Sequence, residues 1–326
     1  MKAYVCRSYG GPEVLELKDV PTPAQKDDEV LIKVYATTVT AGDWRVRTLN
    51  VPKGFALLAR LALGLTRPRQ PILGTELAGI VEATGKSVTR FRPGDAVFAF
   101  PGGKMGCHAQ YCVVAENRPV VHKPEKLTFE EAASLSFGGS TALHFLRKAD
   151  IKAGDKVLII GASGGVGTAL VQLAKHFGAE VTGVTSTTNI ELASSLGADR
   201  VIDYTKEDFT SGTATYDIIA DAVGATTFAK CKGVLKDKGR LLAITGGMPD
   251  MLSALWAPIT SGKRVIVGPA EERPEDVQQL ASLATSGSLR PVIDRYYDFA
   301  QMREAHAYVE TGRKRGSVVV KVQHDL

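Results

Sequence analysis

The sequence predicts an α/β protein in which a β-rich part accompanies a doubly wound parallel sheet. Two observations support this class: short strand-like segments separated by Gly and Pro dominate the first third, and apolar strands alternate with helical patterns after it. The 326 residues are enough for about two domains. The net charge of +5, from 40 Lys plus Arg against 35 Asp plus Glu, is too small to predict nucleic-acid binding.

Residues 1–121 alternate in hydrophobicity over short stretches such as EVLIKVYATTV and DAVFAF. Turn sequences separate them, as at Gly10-Gly11-Pro12 and Arg92-Pro93-Gly94-Asp95. This spacing predicts an antiparallel β barrel or sandwich. Residues 291–326 return to strand character in GSVVVKV, and we expect them to complete this first domain.

Residues 122–290 form the second expected domain, in which strands and helices alternate. An apolar stripe from Val166 to Phe177 repeats at helical spacing, and Gly178 suits the end of that helix. A second helix is predicted to begin at an N-cap, Asn189, and to end before Gly197. Such alternation is typical of a parallel sheet with helices on both faces. The expected strands are 156–160, 180–186, 200–203, 216–222, 240–245 and 264–267.

A glycine-rich turn joins the first of these strands to the first helix. It reads Gly161-Ala162-Ser163-Gly164-Gly165-Val166-Gly167. Glycines allow a tight turn and a close approach of backbone N–H groups to a pyrophosphate, and the helix N-terminus adds partial positive charge. The strand before the turn and the helix after it are the context that such a site requires, so we predict dinucleotide binding. A purely structural turn is the alternative reading.

The end of the second strand indicates which dinucleotide is favoured. An acidic residue about 20 residues after the turn would bind a ribose 2′-hydroxyl and select NAD. Residues 184–189 instead read VTSTTN, with no carboxylate and no Arg or Lys. Because hydroxyls and an amide can donate to a 2′-phosphate that a carboxylate would repel, NADP(H) is favoured. The same residues also read as an exposed turn with an N-cap, and both readings can hold together.

The stretch GASGGVGTALVQLAKHFGAEVTGVTST, followed by LGADRVIDY, resembles the medium-chain dehydrogenase/reductase superfamily in its zinc-free, quinone-oxidoreductase-like branch. The resemblance covers nearly the whole chain, since MKAYVCRSYGGPEVLEL, GTELAGIVEATG, RFRPGDAVFAF and GRKRGSVVVKV also fall in the expected order. It implies a GroES-like β-rich catalytic domain built from residues 1–121 and 291–326. Residues 122–290 would then be a Rossmann NADP(H)-binding domain.

The resemblance also implies a set of cofactor contacts. Those at the pyrophosphate are Ser163, Gly164, Gly165 and Val166, and those at the 2′-phosphate are Ser186 and Tyr204. Those along the nicotinamide half are Thr141, Ala222, Val223, Thr245 and Val267, with Arg315 near the cofactor. Ser317 stands where the family often has Lys. From the residues alone, Thr141 reads as a helix N-cap.

The sequence predicts no metal site. Zinc-dependent alcohol dehydrogenases of the same superfamily hold a catalytic zinc with two thiolates and a histidine, and the matching positions are Thr40, Thr75 and Phe137. A threonine is a poor zinc ligand and a phenylalanine is none, while Glu76 alone cannot hold the ion. Cys107-His108 and Cys112 lie in an alternating run where buried thiols are the favoured reading over metal ligands.

The lack of zinc ligands limits the kinds of hydride acceptor that we expect. Hydride transfer to an isolated ketone leaves a localised alkoxide that zinc would stabilise, whereas quinones and α,β-unsaturated carbonyls delocalise the charge. We therefore expect hydride transfer from NADPH to such an acceptor. The candidate catalytic residues are Thr40, Asp43 and Arg45, with Tyr35 a further candidate donor. A structural ion pair between Asp43 and an arginine is the alternative.

One segment is both basic and apolar. Between Trp44 and Leu73 there is no acidic residue, and residues 54–65 predict one amphipathic helix too short to cross a membrane. That helix could pack on the barrel, cover an apolar substrate as a lid, or lie on a membrane surface. The cations of the segment are Arg45, Arg47, Lys53, Arg60, Arg67 and Arg69.

Two other functions stay open at this point. The chain could bind NADPH as an interaction or sensing protein with little catalysis, or act as an alcohol or aldehyde dehydrogenase, which would require zinc. The apolar pairs Met251-Leu252 and Leu255-Trp256 could line the cleft or a subunit interface, and we expect a homodimer. The chain shows no signal peptide, so the expected location is cytoplasmic.

Overall fold

The computed structural model describes residues 1–51 and 56–324. Its strands are β1 Lys2–Cys6, β2 Leu15–Asp19, β3 Glu29–Val39, β4 Leu77–Thr84, β5 Ala96–Ala99, β6 Tyr111–Ala115, β7 Val120–His122, β8 Lys156–Ile160, β9 Glu180–Thr185, β10 Arg200–Asp203, β11 Tyr216–Asp221, β12 Leu235–Ala243, β13 Arg264–Val267, β14 Ile293–Asp298 and β15 Ser317–Lys321. Its helices are α1 Ala41–Thr48, α2 Ala56–Leu63, α3 Phe129–Ala133, α4 Ser136–Lys148, α5 Gly165–His176, α6 Ile190–Ser195, α7 Phe228–Cys231, α8 Met248–Ser261, α9 Pro274–Thr285 and α10 Met302–Glu310.

The described chain divides into two units. Among the described residues, unit 1 comprises 1–51, 56–140 and 272–324, and unit 2 comprises 141–271. These boundaries differ from the expected domain limits at 121/122 and 290/291. Residues 122–140 lie with unit 1 because α3 packs on β3 and β4, and residues 272–290 do so because α9 packs on β7.

Unit 1 is built around a seven-stranded sheet in the order β14-β15-β3-β4-β5-β7, with β6 also paired to β3. The long strand β3 pairs antiparallel with β4, β6 and β15, so the C-terminal strand lies within this sheet. Side chains that alternate along the sheet fill one core, in which Leu15, Ile32 and Leu77 are fully buried. A separate hairpin pairs β1 with β2.

Unit 2 is a six-stranded parallel sheet in the order β10-β9-β8-β11-β12-β13. Counted along the chain, this is the strand order 3-2-1-4-5-6 of a doubly wound Rossmann sheet, which confirms the predicted fold class. The order reverses between β8 and β11, where the crevice of such a sheet lies. The expected strands are all present, although β12 begins at Leu235 rather than at residue 240.

Two helix caps differ from the sequence analysis. Thr141 lies inside α4, so the N-cap reading of this residue is wrong. Asn189 does stand before α6, but its side chain makes no cap hydrogen bond and donates elsewhere. The helix α5 ends as expected, with Gly178 in the left-handed conformation at φ 79° just after it. In the described part of the chain, no helix is long and apolar enough to cross a membrane.

Candidate functional site

The turn between β8 and α5 is shaped by two glycines. Gly161 has φ 80°, a conformation that favours glycine. A Cβ added to Gly167 would lie 1.9 Å from the carbonyl oxygen of Gly161. No side chain fits there, so α5 can approach the end of β8 this closely only because residue 167 is glycine.

The N-terminus of α5 is open. Its N-cap is Gly164, which makes no side-chain cap hydrogen bond, and the first turn contains no acidic residue. The first N–H groups of a helix have no partner within the helix, and the aligned peptide dipoles add partial positive charge there. The turn therefore fits a phosphate group, and the residues that would contact it are those expected at the pyrophosphate.

Most of the predicted cofactor residues meet at one edge of unit 2. Each follows or ends a parallel strand, and the carboxyl ends of parallel strands lie along one edge of the sheet. They are Ser163 after β8, Ser186 after β9, Tyr204 after β10, Ala222 and Val223 after β11, Thr245 after β12 and Val267 at the end of β13. Thr141 lies in α4 of the same unit, and Arg315 lies in unit 1, where its N–H donates to Asp294 over 2.9 Å.

A small polar network joins the glycine turn to the end of β9. The hydroxyl of Ser163 accepts from Thr185 Oγ1 over 2.9 Å and from Asn189 Nδ2 over 3.2 Å. Asn189 Nδ2 also lies 3.2 Å from the hydroxyl oxygen of Ser186. The buried Oδ1 of Asn189 has no partner among the described residues. Hydroxyls and an orphaned amide oxygen at this point fit a polar ligand.

Asp203 and Lys206 stand beside this network, and the sequence analysis missed both. The Asp203 carboxylate accepts from the Thr187 hydroxyl and from Thr205, through its N–H over 3.0 Å and its hydroxyl over 2.7 Å. These bonds hold the pKa of Asp203 down to about 2, so it is charged. Lys206 Nζ lies 3.6 Å from the same carboxylate, so a cation stands at the end of β10, whereas residues 184–189 contain none.

The pairing of strands β9 and β10 explains why the sequence analysis missed Asp203 and Lys206. Asp203 lies opposite Thr185 in this parallel pair, so the end of β10 contributes to the same place as residues 184–189. Reasoning from the residues alone considered only the end of β9, and the family resemblance added only Tyr204 after β10. Alignment of the two predicted strand ends would have found both charged side chains.

Asp221 organises the loop after β11 and was also missed. Its Oδ1 accepts the N–H groups of Val223 over 3.0 Å and Gly224 over 2.8 Å, and its Oδ2 accepts that of Thr226 over 2.9 Å. The carboxylate therefore fixes the loop that carries Ala222 and Val223. Together with Thr245, it lines a cavity of about 100 Å³.

In unit 1, the predicted catalytic residues lie at the start of α1. Thr40 caps this helix, and Asp43 Oδ2 accepts from the Thr40 N–H over 2.7 Å and from its hydroxyl over 2.6 Å. Asp43 Oδ1 accepts from the N–H of Gly74 over 2.9 Å. Within the part of the chain that the structure describes, Asp43 thus makes these hydrogen bonds and not the alternative ion pair with an arginine. Asp43 is fully buried and positions its neighbours.

The other two candidate donors differ from each other in surroundings. The Arg45 side chain is half-buried, and burial lowers its pKa. Within the described residues no hydrogen bond uses its guanidinium group. Tyr35 instead stacks on Phe129, with ring centroids 4.9 Å apart. The guanidinium group of Arg45 can therefore donate to a ligand.

Glu76 is a buried carboxyl group close to Thr75. Its Oε1 accepts from the Thr38 hydroxyl and its Oε2 from the N–H of Phe137, both over 2.6 Å. Burial raises the pKa of Glu76 to about 7, and the hydrogen bonds from Thr38 and Phe137 partly offset this rise. Burial also lowers the pKa of Lys314 to about 8. The carboxyl group ties β3 to the first turn of α4 through two short hydrogen bonds.

Comparison with known proteins identifies the family. Residues 26–125 match the family model described as alcohol dehydrogenase GroES-like domain, and residues 196–320 match that described as zinc-binding dehydrogenase. A 2-methylene-furan-3-one reductase from Solanum lycopersicum is 36% identical over 332 residues, covering 98% of this chain and 79% of that protein. The chain belongs to the medium-chain dehydrogenase/reductase superfamily, in its quinone-oxidoreductase-like branch.

Two further relatives support this assignment. An NADPH-dependent alkenal/one oxidoreductase of Arabidopsis thaliana, described as chloroplastic, is 33% identical and covers 98% of this chain and 79% of that protein. The structure of the quinone oxidoreductase from Coxiella burnetii superposes with a TM-score of 0.88 at 31% identity, covering 99% of each chain. The superfamily resemblance stated from the sequence is confirmed.

The zinc-ligand positions of this superfamily do meet in unit 1. The Thr40 and Thr75 hydroxyl oxygens are 3.4 Å apart, and a Cβ on Gly42 would lie 3.3 Å from Thr40 Oγ1 and 3.2 Å from the Phe137 ring. Two hydroxyls and a hydrocarbon ring do not fit a zinc ion, which prefers thiolate and imidazole. Among residues 1–51 and 56–324, no three His, Cys, Asp or Glu side chains could together hold a metal.

The two cysteines of the β6 region lie in the core of unit 1. Cys107 and Cys112 are both buried among apolar side chains. Burial raises the pKa of the Cys107 thiol, which keeps it protonated and a poor metal ligand.

We expect Gly167 and Gly164, both in the glycine turn, to respond differently to substitution by alanine. Gly167→Ala should lower the free energy of unfolding by about 2 kcal/mol, because its Cβ meets the Gly161 carbonyl oxygen. Gly164→Ala is the matched control: it has φ −80°, and its Cβ would lie at an ordinary 3.5 Å from the same oxygen. Urea denaturation followed by circular dichroism measures both. Equal stability of the two variants would contradict the steric account.

We expect Glu76→Gln to change how stability depends on pH. Because burial raises the pKa of Glu76 from 4.5 to about 7, the folded state binds this proton more tightly than the unfolded state between those values. The contribution of Glu76 is therefore fully present below pH 4.5 and is lost as the pH rises to about 7. The glutamine does not titrate, so the variant should gain stability relative to the wild type across that window.

Unfolding midpoints of both proteins between about pH 5 and pH 8 test this expectation. The exposed Glu82 provides a control, and Glu82→Gln should differ from the wild type by the same amount at every pH. A Glu76→Gln difference that stays constant between pH 5 and pH 7 would show that Glu76 is charged throughout.

Proposed function

We propose that this protein is an NADPH-dependent oxidoreductase that transfers a hydride to a quinone or an α,β-unsaturated carbonyl compound. The observation that carries the proposal is the open helix N-terminus at the glycine turn, set at the switch point of a parallel sheet. The relatives are named as reductases of enones, alkenals and quinones, and these activities support the acceptor class.

In this proposal, unit 2 binds the dinucleotide and unit 1 is the catalytic domain. The first N–H groups of α5 would hold the pyrophosphate, together with Ser163. Ser186, Tyr204 and Lys206 would hold the 2′-phosphate, with Asp203 kept away from it by its bonds to Thr187 and Thr205. When bound, NADPH supplies the hydride. The residues proposed along the nicotinamide half are Thr141, Ala222, Val223, Thr245 and Val267, with Arg315 nearby.

The three catalytic candidates take different roles. Asp43 is a positioning residue, because Thr40 and Gly74 already occupy both of its oxygens. The Thr40 hydroxyl proton is directed at Asp43, so this group accepts rather than donates. Arg45 is the proposed donor to the product oxygen, because its guanidinium donors are free of described partners. Hydrogen-bond donors of this kind suffice for a delocalised enolate or phenolate.

We propose that the reaction needs no zinc, because Thr40, Thr75 and Phe137 do not form a zinc donor set. The rival function as an alcohol or aldehyde dehydrogenase requires that metal. Elemental analysis of the purified protein decides between them, and one bound zinc per chain would favour the rival. A protein that binds NADPH but turns over no acceptor would favour the interaction or sensing function.

We expect steady NADPH oxidation with a quinone or an enal, and a preference for NADPH over NADH. Lys206→Gln should raise the KM for NADPH about ten-fold and leave that for NADH unchanged, because the 2′-phosphate loses a charged partner. Lys232→Gln is the control, since Lys232 is an exposed cation outside the site. Equal kinetics of Lys206→Gln and the wild type with NADPH would remove Lys206 from the site.

We propose that the protein is a homodimer joined through α8, next to the outer strand β13 of unit 2. Large apolar side chains on this helix are exposed, and Leu255 and Ile259 have 68% and 76% of their surface accessible. Exposed apolar surface on this scale is typical of an interface. The exposed set is Met248, Met251, Leu252, Leu255, Trp256 and Ile259.

Substitution within α8 tests the dimer. Leu255→Asp with Ile259→Asp should convert a dimer into a monomer, because burying two carboxylates costs more than the interface gains. Light scattering coupled to size exclusion measures the mass. Leu17→Asp, at an exposed leucine of unit 1, should stay dimeric. A monomeric wild type would refute the dimer.

We also propose a cytoplasmic location, which rests on the sequence alone. The relatives include proteins described as chloroplastic and mitochondrial. Cell fractionation with an antibody to the native chain tests it.

A further inference from the structure

Helix α2 presents leucines to solvent, which the proposed function does not explain. Leu57, Leu58 and Leu61 have 71%, 60% and 53% of their surface exposed, and Leu65 just after the helix has 62%. Successive helical residues are about 100° apart, so the three helical leucines share one face. This exposure contradicts the reading of residues 54–65 as a helix packed by its leucines; Gly54 and Phe55 lie outside the described residues.

The C-terminal end of α2 is held firmly by polar contacts. Arg60 donates to the carbonyl oxygen of Leu65 and Arg69 to that of Leu61, each over 2.6 Å. The Tyr9 hydroxyl donates to the carbonyl oxygen of Gly64 over 2.7 Å. These bonds satisfy carbonyl groups that the end of a helix leaves free. The leucines are therefore exposed on a helix that is fixed to unit 1.

The charged side chains of the segment that carries these leucines are all positive. Arg60, Arg67 and Arg69 are exposed, and no acidic residue occurs between Trp44 and Leu73. None of the three makes an ion pair within residues 1–51 and 56–324. Arginines elsewhere do pair, for example Arg7 with Glu16 over 3.0 Å and Arg240 with Asp155 over 2.8 Å. The surface of this segment therefore combines exposed leucines with three arginines that have no ion-pair partner among the described residues.

We propose that α2 docks unit 1 on an anionic lipid surface. The leucines would enter the boundary between headgroups and acyl chains, and the three arginines would contact lipid phosphates. The helix is only about 12 Å long, so it lies in the plane of the interface and does not cross it. A second copy of the chain is a poor occupant, because a two-fold contact would bring the unpaired arginines of both copies together.

Vesicle flotation with the full chain tests this proposal. Binding to phosphatidylcholine vesicles that contain about 30% phosphatidylserine should be at least ten-fold tighter than binding to phosphatidylcholine alone, and high salt should weaken it. The Leu57→Ser/Leu61→Ser double variant should bind at least ten-fold more weakly. Arg67→Gln should bind about five-fold more weakly. The Arg67 side chain makes no described contact, so Arg67→Gln should leave the fold intact. This variant therefore tests lipid binding even if the double variant is unstable.

Matched controls separate docking from general surface effects. Leu17→Ser and Arg92→Gln remove an exposed leucine and an exposed arginine outside the segment, and both should bind like the wild type. Unfolding midpoints of all variants confirm that the fold is intact. Absence of vesicle binding by the wild type, equal binding to neutral and anionic vesicles, or wild-type binding by Arg67→Gln would overturn the proposal. Altered turnover without any vesicle binding would assign the helix as a substrate lid instead.

Discussion

The close approach of α5 to the end of β8 is the constraint on which the dinucleotide site depends. A Cβ on Gly167 would lie 1.9 Å from the Gly161 carbonyl oxygen, so one missing methyl group sets the distance between helix and strand. The N-cap of the same helix is Gly164, which has no side chain to cap it, so the helix N-terminus is open at the carboxyl edge of the sheet. The remaining parts of the site, from the Ser163 hydroxyl to the loop held by Asp221, are arranged along the same edge.

Polar side chains in unit 2 keep that edge in a single arrangement. Asp221 accepts three backbone N–H groups, and Asp203 accepts three bonds from Thr187 and Thr205. Each carboxylate is buried, and each offsets its loss of hydration through these bonds. The loops at the strand ends are therefore fixed before any ligand arrives, which reduces the entropy lost on binding.

The parallel sheet and the glycine turn were predictable because both are local. Strands at 156–160, 200–203 and 264–267 have the predicted limits, since short apolar runs between turn signals define them. The contributions of Asp203 and Lys206 were not found, because they depend on which strand lies beside β9. The exposure of the α2 leucines could not be predicted for a related reason: helical periodicity shows that an apolar face exists, but only tertiary structure shows whether it is covered.

In unit 1, hydrogen bonds and ring contacts hold together the region where a zinc-binding relative would place its metal ligands. The Thr38 hydroxyl donates to Glu76, while the Thr38 carbonyl oxygen lies 3.0 Å from His108 Nε2. A carbonyl oxygen can only accept, so that nitrogen carries the proton. His306 meets the same imidazole edge to face, with ring centroids 5.3 Å apart. Thr38 of β3 thus links the buried carboxyl group of Glu76 to His108, and His108 in turn contacts His306.

Burial determines the charge states of His108, His306 and Glu76. It lowers the pKa of His108 and that of His306, so both rings stay neutral, and it raises the pKa of Glu76 to about 7. Neutral imidazoles need no counterion, unlike a set of thiolates around a cation. The convergence of Thr40 and Thr75 can therefore persist without a metal, because Asp43 and Glu76 hold the backbone around them. Hydrogen bonds through Asp43 and Glu76 support the positions that metal ligands would otherwise fix.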